Sequence, residues 1–144
     1  MTQLIYSALP QPKRPIVYIH SKVSVSQCVD MMTKQNIGAL VVRDNDELIG
    51  MLSERDIVRA CVDPAFDLFK TTAGDIVFAD VSVLNLNDPL ELAMEVITKT
   101  KRRHVLVAEE GELVAILSIG DCLFHLLEDK TRVIEQLENY IHTY

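Results

Sequence analysis

The chain has no apolar run long enough to cross a bilayer, and its first residues lack the hydrophobic stretch of a secretory signal. Cytoplasmic residence with no membrane partner is the expectation. Cysteine is sparse. Cys28, Cys61 and Cys122 are odd in number and form no CxxC, which argues for reduced thiols rather than a disulfide framework. Basic charge is also short. Fourteen Lys and Arg stand against 21 Asp and Glu, for a net charge of −7, which disfavours nucleic acid as a partner. His20, His104, His125 and His142 show no metal-ligand spacing, so no metal site is expected. Cys61 and Cys122 have no matched base in the sequence, so no nucleophile–base pair can be named and catalysis is not expected.

What is present is hydrophobic residue and repetition. Hydrophobic side chains make up 49% of 144 residues, enough for one compact domain or two small repeats sharing a core. Ser53-Glu54-Arg55-Asp56 and Ser118-Ile119-Gly120-Asp121 lie 65 positions apart. Upstream, Leu48, Leu52 and Val42 meet Leu113, Leu117 and Val107 without a gap, and Glu47 meets Glu112. An internal repeat constrains the fold more than any local pattern does. Two similar half-sites facing each other can form one cleft.

Within each repeat the pattern reads β-α-β-β-α. Residues 1–15 are a lead in which a short helix near Leu4 to Ala8 precedes Pro10, Pro12 and Pro15. Ile16 to Ile19 is a strand. Val25, Cys28, Val29 and Met32 recur at helical spacing, with Ser24 and Gln27 placed as a capping box. Strands over Ala39–Val42 and Leu48–Leu52 flank the turn Asp44-Asn45-Asp46, and a helix follows from Glu54 to Cys61. In the second repeat Asp88 is expected as N-cap with Pro89 at the first helical position. Strands follow at His104–Val107 and Leu113–Leu117, and a helix begins near Ile119. These patterns divide the chain into a first motif over 16–61, a linker over 62–76, a second motif over 77–130 and a further helix over 131–144. That last helix carries Val133, Leu137, Tyr140 and Ile141 on one face, and would pack on its own module or on a partner chain.

The segments Ile37-Gly38-Ala39-Leu40-Val41-Val42 and Gly50-Met51-Leu52-Ser53-Glu54-Arg55-Asp56-Ile57-Val58-Arg59 resemble the first motif of a tandem cystathionine-β-synthase (CBS) domain pair. Arg103-His104-Val105-Leu106-Val107 and Leu117-Ser118-Ile119-Gly120-Asp121 resemble the second. The resemblance spans about residues 16–127, and the tail Ile134 to Ile141 resembles that of small stand-alone bacterial members. It implies an α/β (α+β) fold of two pseudosymmetric motifs packed through their sheets, the arrangement called a Bateman module. It further implies a non-catalytic regulatory module that senses an adenosine nucleotide (AMP, ADP or ATP) in a cleft between motifs. Such a module needs no cofactor, forms a homodimer and signals to a regulated protein whose identity the sequence does not give. A scaffold or dimerisation module with ligand-free clefts is the alternative.

The site residues each allow two readings. Ser53 and Ser118 end a strand and start a helix, where a serine caps the first turn. Asp56 and Asp121 suit the helix dipole. The same geometry can hold a phosphate at the helix start, with a carboxylate accepting ribose hydroxyls; the family uses these positions so. Lys101-Arg102-Arg103-His104 is the one dense basic run, either a solvated helix end or a phosphate clamp. Arg103 matches the family's basic position, and the first repeat has uncharged Gly38 there, so the cleft with Ser118, Asp121, Arg103 and His104 is expected to hold anions better. Arg55 and Arg59 read as solvated helix residues that could also reach a phosphate. Ala115 stands where the first repeat has Gly50, which is expected to crowd the second cleft. Leu106 stands where the family usually has proline, and Val77-Phe78 where it often has Met-Thr.

Overall fold

The computed structural model describes residues 3–10 and 14–143; Pro12, in the lead, lies outside the described residues. In chain order the elements are α1 (Ile5–Ala8), β1 (Tyr18–Ile19), α2 (Val25–Gln35), β2 (Ala39–Asp44), β3 (Glu47–Ser53), α3 (Glu54–Ala60) and α4 (Ala73–Ile76). They continue with β4 (Val83–Asn85), α5 (Leu90–Thr100), β5 (His104–Glu109), β6 (Glu112–Ser118) and α6 (Ile119–Thr143). The chain divides into two units, one formed by 15–81 and the other by 1–14 with 82–144. The expected boundaries at 61/62 and 76/77 therefore fall inside the first of these. Phe66, Ala73, Ile76 and Val77, expected in or next to the linker, pack on its core.

In the unit of 15–81 the sheet order is β1-β2-β3, with β1 parallel to β2 and β2 antiparallel to β3. Helix α2 starts at Ser24, whose side chain accepts from the Gln27 N–H, one half of the expected capping box. It stops at Asn36, which takes the left-handed conformation that asparagine tolerates (φ 51°). Its Val25, Cys28 and Met32 stripe packs with Leu40, Val42 and Leu52 of the sheet. Each such large apolar side chain contributes about 1.5–3 kcal/mol when fully buried. Gly50 is required by a close approach: a Cβ there would lie 2.2 Å from the Phe78 carbonyl oxygen. Phe78 bridges to Met51 through paired backbone hydrogen bonds of 3.0 and 2.9 Å.

The other unit repeats the sheet as β4-β5-β6, with the same strand directions and a bulge at the matching place, after Val107 as after Val42. Ala115 is buried opposite Val107, as Gly50 lies opposite Val42. Gly50 is thus dictated by the Phe78 backbone.

The chain lead closes this second unit. Ile5 and Tyr6 N–H groups donate to the Asp88 and Leu86 carbonyls, as Ala73 and Gly74 donate to Val23 and Ser21 in the first unit. Asp88 was the expected N-cap of α5, but Pro89 is the N-cap and makes no side-chain cap bond. The Asp88 carboxylate instead accepts from the Asn85 N–H, and the Gln3 carbonyl takes the Leu90 N–H at 2.8 Å. The separate helix expected over 131–144 is instead the second half of α6. No glycine or proline interrupts 121–143, so nothing breaks the ladder.

Candidate functional site

Each motif turns from strand to helix at a serine. Ser53 closes β3 in an extended conformation, and its Oγ accepts from the Asp56 N–H at 3.3 Å. The Ser53 N–H donates back to Asp56 Oδ2 at 2.8 Å, and the Ser53 hydroxyl lies 2.9 Å from the same oxygen. At the second junction the Asp121 N–H donates to Ser118 Oγ at 3.0 Å and the Ser118 N–H to Asp121 Oδ2 at 2.9 Å. A reciprocal capping box therefore forms twice, each serine contributing about 1 kcal/mol. One oxygen of each aspartate is engaged with its own helix.

A second backbone bond ties each junction to the loop before the central strand. The Glu54 N–H donates to the Gly38 carbonyl at 3.0 Å, and the Ile119 N–H to the Arg103 carbonyl at 2.8 Å. Positions 38 and 103 thus stand beside equivalent helix starts. At Gly38 there is no side chain, and the Glu54 carboxylate lies over it, 3.3 Å from where a Cβ would be. At the second junction the exposed Arg103 occupies that place. The strand register also pairs Ala39 with Ser53, but His104 with Ser118.

Arg14 joins this second cluster from the lead. Its Nη2 donates to Asp121 Oδ1 at 2.6 Å, with the arginine 59% exposed and the carboxylate 13%. Burial lowers the His104 pKa from its ordinary value. The Asp121 carboxylate opposes that shift, and Arg102, Arg103 and Arg14 add to it. The structure thus brings Arg103, His104, Ser118 and Asp121 together and adds Arg14. Arg14 escaped the sequence reading because 107 positions separate it from its partner. Its one sequence signal is the pair Lys13-Arg14 ahead of β1. At the first junction the Glu54 carboxylate lies beside Gly38, and Arg55 and Arg59 follow on exposed positions of the helix.

A helix N-terminus with arginines beside it is suited to an anion, because the dipole and the guanidinium donors act in the same direction. Burial pushes the Cys28 and Cys122 thiols up to about 11, so both are protonated at neutral pH. Among the described residues no group of three or more His, Cys, Asp and Glu could hold a metal ion, and no helix is long and apolar enough to cross a membrane. An open groove of about 550 Å³ in the unit of 15–81 is lined by Tyr18, His20, Gln27, Asp30 and Lys34 among others, and by none of the expected site residues.

Comparison with known proteins agrees with this architecture. The family model described as CBS domain matches residues 7–63 and again 73–128. The mitochondrial CBS domain-containing protein CBSX3 of Arabidopsis thaliana is 27% identical over 123 residues, 82% of this chain; the chain spans 60% of that protein's length. Hypoxic response protein 1 of Mycobacterium tuberculosis is 30% identical over 106 residues, covering 73% of this chain and 74% of that one. Among solved structures, a putative signal-transduction protein with CBS domains from Burkholderia ambifaria has a TM-score of 0.81 at 28% identity, covering 90% of this chain and 96% of its own. Two more distant structures share the fold. The CBS domain pair of protein MJ0100, in complex with 5-methylthioadenosine and S-adenosyl-L-methionine, has a TM-score of 0.75 at 22% identity, covering 90% of this chain and 99% of that one. CBSX2 in complex with AMP has a TM-score of 0.72 at 18% identity, covering 87% and 97%.

Proposed function

This chain belongs to the CBS-domain family as a tandem pair, and from that premise we propose that it is a non-catalytic regulatory module that senses an adenosine nucleotide. The ligand is of the AMP, ADP or ATP class, and the module passes its bound state to a partner protein by a change of shape. The observation that carries this reading is the charge around the second junction. Arg14, Arg103 and His104 stand around the Ser118–Asp121 helix start, where the first junction has Gly38 and Ala39 in place of Arg103 and His104. In a chain of net charge −7, a phosphate needs local compensation of this kind. The AMP and S-adenosyl-L-methionine complexes of structural relatives support the adenosine half of the ligand.

In this reading Arg103 and Arg14 take the phosphate, and the helix start at Ser118 orients it. The Asp121 carboxylate accepts the ribose hydroxyls, which requires Arg14 to shift its bond from Asp121 Oδ1 to the phosphate. The Ser53–Asp56 junction binds weakly or not at all. Two copies of the chain form the working homodimer. The test is a thermal-shift series with AMP, ADP, ATP, adenosine and GMP. A rise in melting temperature with the adenine nucleotides, saturating with concentration, is the expected result. No shift with any of them would overturn the reading.

One observation favours the scaffold alternative. Both aspartates already serve as capping-box acids, and Asp121 also holds Arg14, so the polar groups are satisfied without a ligand. A flat thermal-shift series would select that alternative.

A further inference from the structure

Helix α6 outruns the unit it belongs to. Its first half packs inward through Ile119, Cys122 and Leu126. Gln3 ties the lead to it through His125 and Asp129. From Lys130 to His142 every residue is exposed. A helical segment of that length is marginal in water unless a partner covers its apolar face. The exposed positions Leu123, Leu127, Lys130, Ile134, Leu137 and Ile141 follow one another at spacings of 4, 3, 4, 3 and 4, the repeat of a two-helix seam. The five apolar members are between 50% (Leu123) and 67% (Ile141) exposed. They form one exposed apolar stripe along the helix, interrupted by Lys130.

We propose that α6 pairs antiparallel with α6 of a second copy of this chain, which specifies the surface of the homodimer read above and rests on that reading. The stripe is complementary to itself. Reversed about a midpoint between Lys130 and Ile134, it sets Leu123 against Ile141, Leu127 against Leu137, and Lys130 against Ile134. Every layer then has at least one aliphatic side chain facing another or the stem of a lysine, whose ammonium reaches water. Val133 lies beside its own counterpart at the dyad. A parallel pair would place Lys130 against Lys130 in one layer, two like charges inside an apolar seam. An isologous contact of this kind closes at two copies and leaves no stripe exposed.

Light scattering on the full chain should show a dimer at about 50 μM, a concentration at which a micromolar complex is populated. The Ile134→Asp and Leu137→Asp double variant should be monomeric, with the wild-type sheet signature in circular dichroism. A monomeric wild type would overturn both the dimer and the seam. A variant that stays dimeric would overturn the seam alone and leave the dimer standing. Orientation is read on a Cys61→Ser background under mild oxidation. Leu127→Cys combined with Leu137→Cys should give a covalent dimer, and Leu137→Cys alone should not. A covalent dimer from Leu137→Cys alone would overturn the antiparallel assignment.

Discussion

At Ser53 and at Ser118 the backbone and the capping bonds are the same, but the residues at matching positions beside the two serines differ. The first junction has Glu54 over Gly38 and an alanine facing the serine. The second has Arg103, a histidine facing the serine, and Arg14 on the aspartate. What the two share serves folding: a cap for the helix and a carbonyl for its first N–H. What they do not share is where a ligand would discriminate between them. A serine and an aspartate three residues apart therefore predict a capped helix more firmly than a binding site. The function rests on the unshared residues.

The largest effect that would sharpen this comparison is on ligand affinity. Arg103→Ala should weaken AMP by about ten- to a hundredfold, as loss of a charge-assisted bond costs about 1.5–3 kcal/mol, and should change adenosine much less. Equal losses for both ligands, by calorimetry, would show that Arg103 does not face the phosphate. Next is the glycine–alanine difference. Gly50→Ala drives a Cβ into the Phe78 carbonyl and should cost about 1–3 kcal/mol in urea unfolding. Ala115→Gly should cost only about 0.5–1 kcal/mol. Comparable losses would mean that the two strands are constrained alike.

The caps should then behave as twins. Ser53→Ala and Ser118→Ala should each lose about 1 kcal/mol, and a twofold or larger difference in unfolding free energy would break the equivalence of the junctions. The smallest effect is on pH. The folded-state pKa of His104 is depressed below its usual 6.5, so the folded chain binds fewer protons there. Stability from this group is complete above that value and is lost as pH falls toward the folded one. Between about pH 7.5 and about pH 5.5 the wild type should lose more melting temperature than His104→Gln. Parallel curves would show that His104 is not desolvated.

The fold was legible because the repeat tied each ambiguous segment to a second copy. The five-element order of each motif and the serine-led helices follow from apolar spacing and cap residues. The features that were not legible depend on distant partners. Leu4 to Ala8 reads as a short helix, but nothing local says that it closes the unit containing α5. Asp88 has the composition of an N-cap, and only the Gln3 carbonyl at Leu90 shows why it is not needed. Gly50 reads as a family glycine until Phe78 is seen against it. Arg14 carries no periodicity, and its role emerges from a contact across 107 positions. The candidate site was legible in its serines, aspartates and Arg103, and incomplete without Arg14.

The central claim is that two junctions of like backbone are unlike in binding. Titration of the wild-type chain with AMP by calorimetry tests it most directly. The account predicts about one tight site per chain, with Asp121→Ala removing it and Asp56→Ala leaving its affinity essentially unchanged. Two equivalent tight sites per chain, or a tight site lost with Asp56→Ala and kept with Asp121→Ala, would contradict it.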